Sequence, residues 1–156
     1  MKIIFISVGH VKKSFLAGGV AEYIKRIKRY GPVEEIDVKE ESASPKTPKA
    51  AILQREGERI IKKLKPGDHV VALSDKGSLM TSNALSDYIG SLQDTGAKRL
   101  CFIIGGPWGL HKSVADASNA VLSLSRMTLP HDMARLVLAE QVYRAFTIMR
   151  GEPYSH

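Results

Sequence analysis

A chain of 156 residues with 44% hydrophobic and 25% charged side chains suits one domain with one core, and excludes a disordered or fibrous protein. No apolar run reaches the length needed to span a bilayer, the first apolar stretch has no signal-peptide cleavage signature, and no metal-spaced cluster of ligands stands out. The single Cys101 forbids an intrachain disulfide; inside an apolar strand it reads as buried filler in a protein of the reducing cytoplasm.

Residues 2–9 are a continuous apolar run ended by Gly9, which predicts a strand buried on both faces. Residues 14–30 predict a helix with Val20, Tyr23, Ile24 and Ile27 on one face. Lys25, Arg26, Lys28 and Arg29 lie on the other, and Gly31-Pro32 stops it. Residues 33–38 alternate as a strand with one solvated face, and residues 40–49 read as a mobile loop. A second helix is expected over 50–64, with Ile52, Leu53, Ile60, Ile61 and Leu64 inward, followed by a buried strand over 69–73 and a turn at 74–77. Ser82 is the expected N-cap of a helix running through Ala84, Leu85, Tyr88, Ile89 and Leu92. Strands at 100–104 and 120–124 and a long helix over 132–149 complete the chain. Strands alternating with helices imply an α/β fold, a mostly parallel sheet with helices on both faces.

Up to Pro66, fifteen Lys and Arg stand against eight Asp and Glu; from Gly67 onward eight face eight. The whole excess of +7 therefore lies in the first part of the chain. It points either to a polyanion such as nucleic acid or to a solvated basic face.

The neutral part holds the most informative residues. Gly105-Gly106-Pro107-Trp108-Gly109 closes one strand, and Ser125-Arg126-Met127-Thr128-Leu129-Pro130-His131 follows the next. Glycines at the carboxyl end of a strand let a ligand approach bare backbone, and in open α/β sheets that crevice is where small molecules bind. Two such strand ends predict one composite pocket. Neither standard nucleotide fingerprint is met: the spacing is not Gly-x-Gly-x-x-Gly near the first strand, and Leu110-His111 stands where a P-loop needs Lys-Ser/Thr. His10, His69, His111, His131 and His156 are scattered, and Cys101 has no base beside it in sequence. The last helix, with Met133, Leu136, Val137, Glu140, Tyr143 and Arg144 at helical spacing, reads as core packing or as a face for a second copy.

Taken together, Phe102 to Leu110, Leu122 to His131, Glu140 to Ala145, the opening Ile6 to Lys12 and the closing Gly151 to Tyr154 resemble the RlmH family over the whole chain. These are small SPOUT-class methyltransferases of large-subunit (23S) ribosomal RNA. The resemblance implies a homodimer with a carboxyl-terminal trefoil knot, a rare exception to the rule against threaded chains. It implies methyl transfer from S-adenosyl-L-methionine to N3 of a pseudouridine in the hairpin facing the small subunit, within the assembled ribosome. By position, cofactor contacts fall on Leu73, Gly105, Leu124, Ser125, Arg126, Met127, Thr128 and Leu129. Such transfer is an in-line displacement that needs no metal. Candidates for moving the N3 proton or polarising a carbonyl are His131, Arg144, Tyr154 and His156. Lys12, Lys13 and the basic face of the first helix would meet phosphates. Ser78, where a lysine is common, and the bulky Trp108 depart from the family pattern. A SPOUT methyltransferase of transfer RNA and a non-catalytic RNA-binding or ribosome-associated module are the alternatives.

Overall fold

The apolar run that opens the chain lies next to the edge of a five-stranded, wholly parallel sheet. In the computed structural model, which describes residues 1–11, 14–42, 44 and 46–154, the strand order is β2-β1-β4-β3-β5. The strands are β1 (Lys2–Val8), β2 (Val33–Val38), β3 (His69–Leu79), β4 (Arg99–Ile104) and β5 (Ala120–Ser123). Between them run α1 (Ser14–Ile27), α2 (Lys49–Ile61), α3 (Ser82–Asp94) and α4 (Lys112–Asp116), and α5 (His131–Met149) follows β5.

A parallel sheet needs crossover connections, which cover both of its faces with helices. Ile3, Phe5, Leu100, Phe102 and Ile104 face a core shared with Ile24 and Ile27 of α1, Leu85 and Ile89 of α3, and Leu138, Val142 and Phe146 of α5. Phe5 and Phe102 are register partners, and their rings stack with centroids 5.9 Å apart. Ile4, Ile6, Val8, Cys101 and Ile103 point the other way, against Ile60 of α2 and Val114 of α4. Five parallel strands with helices on both faces match the expected fold class.

Four local expectations change. The 74–77 turn is a detour within one strand, because β3 pairs with Leu122 of β5 at Leu73 and again at Ser78. Gly77 permits that return: a Cβ there would stand 2.6 Å from the Leu122 carbonyl carbon and 2.7 Å from the Val121 oxygen. Thr81, and not Ser82, caps α3 by accepting the Ala84 N–H at 3.1 Å. The Ser82 hydroxyl is engaged elsewhere, donating to Gln141 Oε1 on α5 at 2.6 Å. The second helix ends at Ile61, short of Leu64, which leaves Ile61 partly exposed where burial was expected. The fourth is α4, a short helix between β4 and β5 that the sequence reading lacks. The segment read as a loop over 40–49 has a firm anchor at Glu41, which pairs with Arg55 and Arg59 and donates its backbone N–H to Glu56.

The amino-terminal end of the sheet is closed by ion pairing. Arg99 donates to both oxygens of the buried Asp68, at 2.6 and 3.2 Å. Burial is the largest influence and would raise the Asp68 carboxyl, yet Arg99, the Lys65 N–H and the Cys101 thiol together outweigh it and the pKa lies below the usual carboxylate range. The Cys101 thiol donates to the same carboxylate at 3.3 Å. Burial, then that negative neighbour, pushes its pKa up to about 12, so it is a protonated filler and no nucleophile. His69 bonds through Nε2 to the Tyr88 hydroxyl at 2.6 Å, a structural role.

Candidate active site

At the carboxyl ends of β3, β4 and β5 the sheet opens into a cleft of about 620 Å³. Its walls are the Leu73 to Asp75 stretch, the Gly105 to Gly109 turn, and the segment from Leu122 through His131. The first turn folds back on itself. Gly109, at φ 88°, donates its N–H to the Gly106 carbonyl at 3.0 Å. A Cβ at Gly105 would meet the Gly109 oxygen at 2.5 Å and its carbon at 2.6 Å; no side chain fits there, and bare backbone forms the wall.

The second turn is braced by its own serines. Ser123 Oγ donates to the Ser125 carbonyl, and the Met127 N–H donates to Ser125 Oγ, both at 2.9 Å. Beneath the glycine turn lies the buried carboxyl of Glu56. One oxygen accepts the Glu41 N–H at 2.9 Å and the other has no partner among the described residues. Burial holds this carboxyl above the usual range.

Of the residues expected to contact a cofactor, Leu73, Gly105, Leu124, Ser125, Met127, Thr128 and Leu129 line this one cleft. Arg126 is exposed and is not part of its lining. Asp75, Leu122 and Pro130 also line it, and the sequence reading had not singled them out as contacts. Among the described residues the lining carries Asp75 and His131 but no Lys or Arg.

The expected catalytic residues fall into two groups. His131 opens α5 at the cleft, with Nε2 at 3.2 Å from the Asp132 carboxylate. Arg144 and Tyr154 instead cluster around Glu140. Arg144 donates to Glu140 Oε1 from Nε at 2.9 Å and from a terminal nitrogen at 2.6 Å. The Tyr154 hydroxyl donates to the same oxygen at 3.2 Å and shares a hydrogen bond with Tyr23. The Arg144 guanidinium lies 4.8 Å over the Tyr154 ring. Pairing with Glu140 raises the Arg144 pKa, and burial followed by the Tyr23 bond raises that of Tyr154. Thirteen residues of helix separate His131 from Arg144, roughly 20 Å at 1.5 Å per residue. None of Glu140, Arg144 and Tyr154 lines the cleft, and His156 lies outside the described residues. Glu140 four residues before Arg144 is a helix pair readable from sequence; Tyr23, more than a hundred residues away, is not.

A smaller cavity of about 250 Å³ lies across Ile104 from the cleft. Arg135 of α5 reaches into it and donates to the carbonyls of Val8 and Gly9, tying the start of α5 to the end of β1. Among the described residues no group of three or more His, Cys, Asp or Glu is placed to hold a metal, and no helix is long and apolar enough to cross a membrane.

A cleft at parallel strand ends, walled by glycine backbone and a self-braced loop, is the ligand-binding end of an open α/β sheet. The family described as "Predicted SPOUT methyltransferase" matches residues 1–156, and the chain belongs to it. It is 45% identical over 157 aligned residues, with 99% of each chain covered, to the ribosomal RNA large subunit methyltransferase H of Bacillus pumilus. The protein of the same name from Exiguobacterium is 42% identical, again over 99% of each chain. Among solved structures, a probable methyltransferase from Bordetella pertussis aligns with TM-score 0.57 at 17% identity, covering 92% of this chain and 93% of that one. A probable methylase family protein from Haemophilus influenzae aligns with TM-score 0.54 at 15% identity, covering 99% of this chain and 70% of that one. At that identity the two structures speak for the fold alone.

Proposed function

We propose that this chain, acting as a single domain, methylates N3 of a pseudouridine in large-subunit ribosomal RNA. The methyl donor is S-adenosyl-L-methionine, and the target hairpin faces the small subunit in the assembled ribosome. The cleft carries this reading. It offers backbone edges at Gly105 to Gly109, apolar walls at Leu73, Leu122 and Leu129, one carboxylate at Asp75, the His131 imidazole and, among the described residues, no Lys or Arg. That donor set fits an adenosine joined to a cationic sulfonium and ammonium, and would suit a phosphate-bearing cofactor poorly. When bound, the cofactor supplies an electrophilic methyl. The chain's own contribution is to hold the acceptor nitrogen in line and to manage its proton.

The division of the polar residues supports a homodimer. His131 stands at the cleft, while Arg144, about three and a half turns further along α5, forms a preassembled cluster with Glu140 and Tyr154. A second copy set against α1 and α5 brings its Arg144 and Tyr154 to this cleft. Glu140 fixes the guanidinium, which stabilises negative charge on the uracil carbonyls as N3 loses its proton. The exposed Phe15 of α1 supplies apolar surface for that contact. We assign a knot to the carboxyl-terminal segment, whose stretch between β5 and α5 lines the same cleft as the ends of β3 and β4. A ribosomal substrate implies the cytoplasm.

Labelled cofactor presented with assembled ribosomes, separated subunits and free RNA tests the reading. Methyl transfer to large-subunit RNA is expected. Transfer to transfer RNA alone overturns the substrate, and RNA binding without cofactor binding leaves the non-catalytic module. Mixing Gly105→Val chains with Arg144→Ala chains tests the shared site. Each alone should keep about 1% of wild-type activity or less, and random pairing should restore about a quarter through the one intact site of each mixed dimer. No recovery would place both halves of the site in one chain.

A further inference from the structure

Trp108 is the only tryptophan of the chain, and it is 48% exposed at the lip of the cleft. Its support is stiff. It follows Pro107 at the tip of the turn whose ends are joined by the Gly109 to Gly106 hydrogen bond of 3.0 Å, and Gly105 packs directly on Gly109 below. A large ring is thus held toward water at little entropic cost, since the turn cannot collapse over it. Lys49, the first residue of α2, sets its ammonium 5.5 Å from the ring centroid. From the other loop of the cleft Met127 is also largely exposed, at 78%.

We propose that Trp108 is a stacking platform for an unpaired RNA base flanking the methylated nucleotide, with Lys49 meeting the adjoining phosphate. The inference rests on RNA being the substrate and names the side chains that hold it. Two observations favour the RNA over the cofactor as occupant. The cofactor is itself cationic and carries no phosphate, so an ammonium beside the ring would oppose it. A nucleotide instead brings a π face and a negative phosphate together, which matches an aromatic ring flanked by a lysine. Lys49 also belongs to the basic first part of the chain, whereas Trp108 belongs to the neutral part that forms the cleft. The pair is therefore where the two parts meet. Every base has a π face, so the contact adds affinity and register without choosing which base is methylated.

The test is steady-state methyl transfer to ribosomes or to large-subunit RNA, whichever the wild-type chain accepts, by Trp108→Ala, Trp108→Phe and Lys49→Ala. Losing one base stack raises KM for the RNA about 10- to 100-fold with kcat little changed, because the contact is equal in ground and transition states. Trp108→Phe recovers most of the loss, Lys49→Ala costs several-fold in KM, and calorimetry finds cofactor affinity unaltered in all three. Quenching of the single tryptophan by oligouridylate, with none by cofactor alone, is the direct optical counterpart. An unchanged KM in Trp108→Ala overturns the platform, and a matching loss of cofactor affinity reassigns the ring to the cofactor. A wild-type chain that methylates no RNA defeats the functional reading instead, so the two failures are distinct.

Discussion

The two ends of the sheet are built on opposite plans. At the amino end of β3 and β4, Asp68 is buried with Arg99 on both its oxygens and the Cys101 thiol beside them. At the carboxyl end the same strands open into a cleft whose wall is glycine backbone and whose lip carries an exposed tryptophan. Groups satisfied within the fold mark structure, whereas apolar surface and backbone left free mark a place for something else. The contrast also shows why a titrating cysteine is no guide to chemistry here: its proton is held by the closed end.

The sharpest way to break the contrast is Gly105→Val. Its side chain would strike the Gly109 backbone at 2.5 Å, so cofactor binding by calorimetry should vanish and activity fall by more than ~1,000-fold, as the pocket wall is displaced. Retained binding would mean the turn is not part of the pocket. Arg144→Ala should lower kcat by about 100-fold while leaving cofactor affinity intact, as expected of a charge acting on the reacting base; equal loss of both would make it a packing residue. At the closed end the effects should appear in stability alone. Arg99→Ala strands the Asp68 carboxylate and should cost about 2 kcal/mol in urea unfolding, with kcat preserved below the melting range. The mildest effect is acid sensitivity. The Asp68 pKa is depressed in the fold, so its stabilisation is complete above the unfolded value of about 4 and fades as pH falls through the folded one. The Arg99→Ala chain should show a flatter stability profile below about pH 4, and an unchanged profile would acquit the pair.

Much of this was legible in the residues. The buried strands are legible as unbroken apolar runs, and the glycine turn as the wall of a cleft, because period and punctuation are local signals. Arg126 was included with its neighbours only by position in a motif, and packing alone reveals that it turns outward. Thr81 and Ser82 offer nearly identical capping chemistry; the choice was made by Gln141, fifty-nine residues away, which takes the serine. The extension of β3 past Gly77 was hidden because a turn-rich tetrapeptide can also be a detour, and only pairing with β5 distinguishes them. The separation of His131 from Arg144 was implicit in helix geometry, but the gathering of Tyr23, Glu140 and Tyr154 depends on contacts no window of sequence contains.

The placement of β5 at the sheet edge, beside β3 and followed by α5, has a consequence for biosynthesis. Lys2 must wait for Arg99 to find its strand partner, and both walls that complete the cleft come from residues after Ile104. A growing chain can lay down its first strand and helices early, yet long-range pairing is slow, and the part emerging last must still dock between helices made first. The pocket is thus the last part of the fold to be completed.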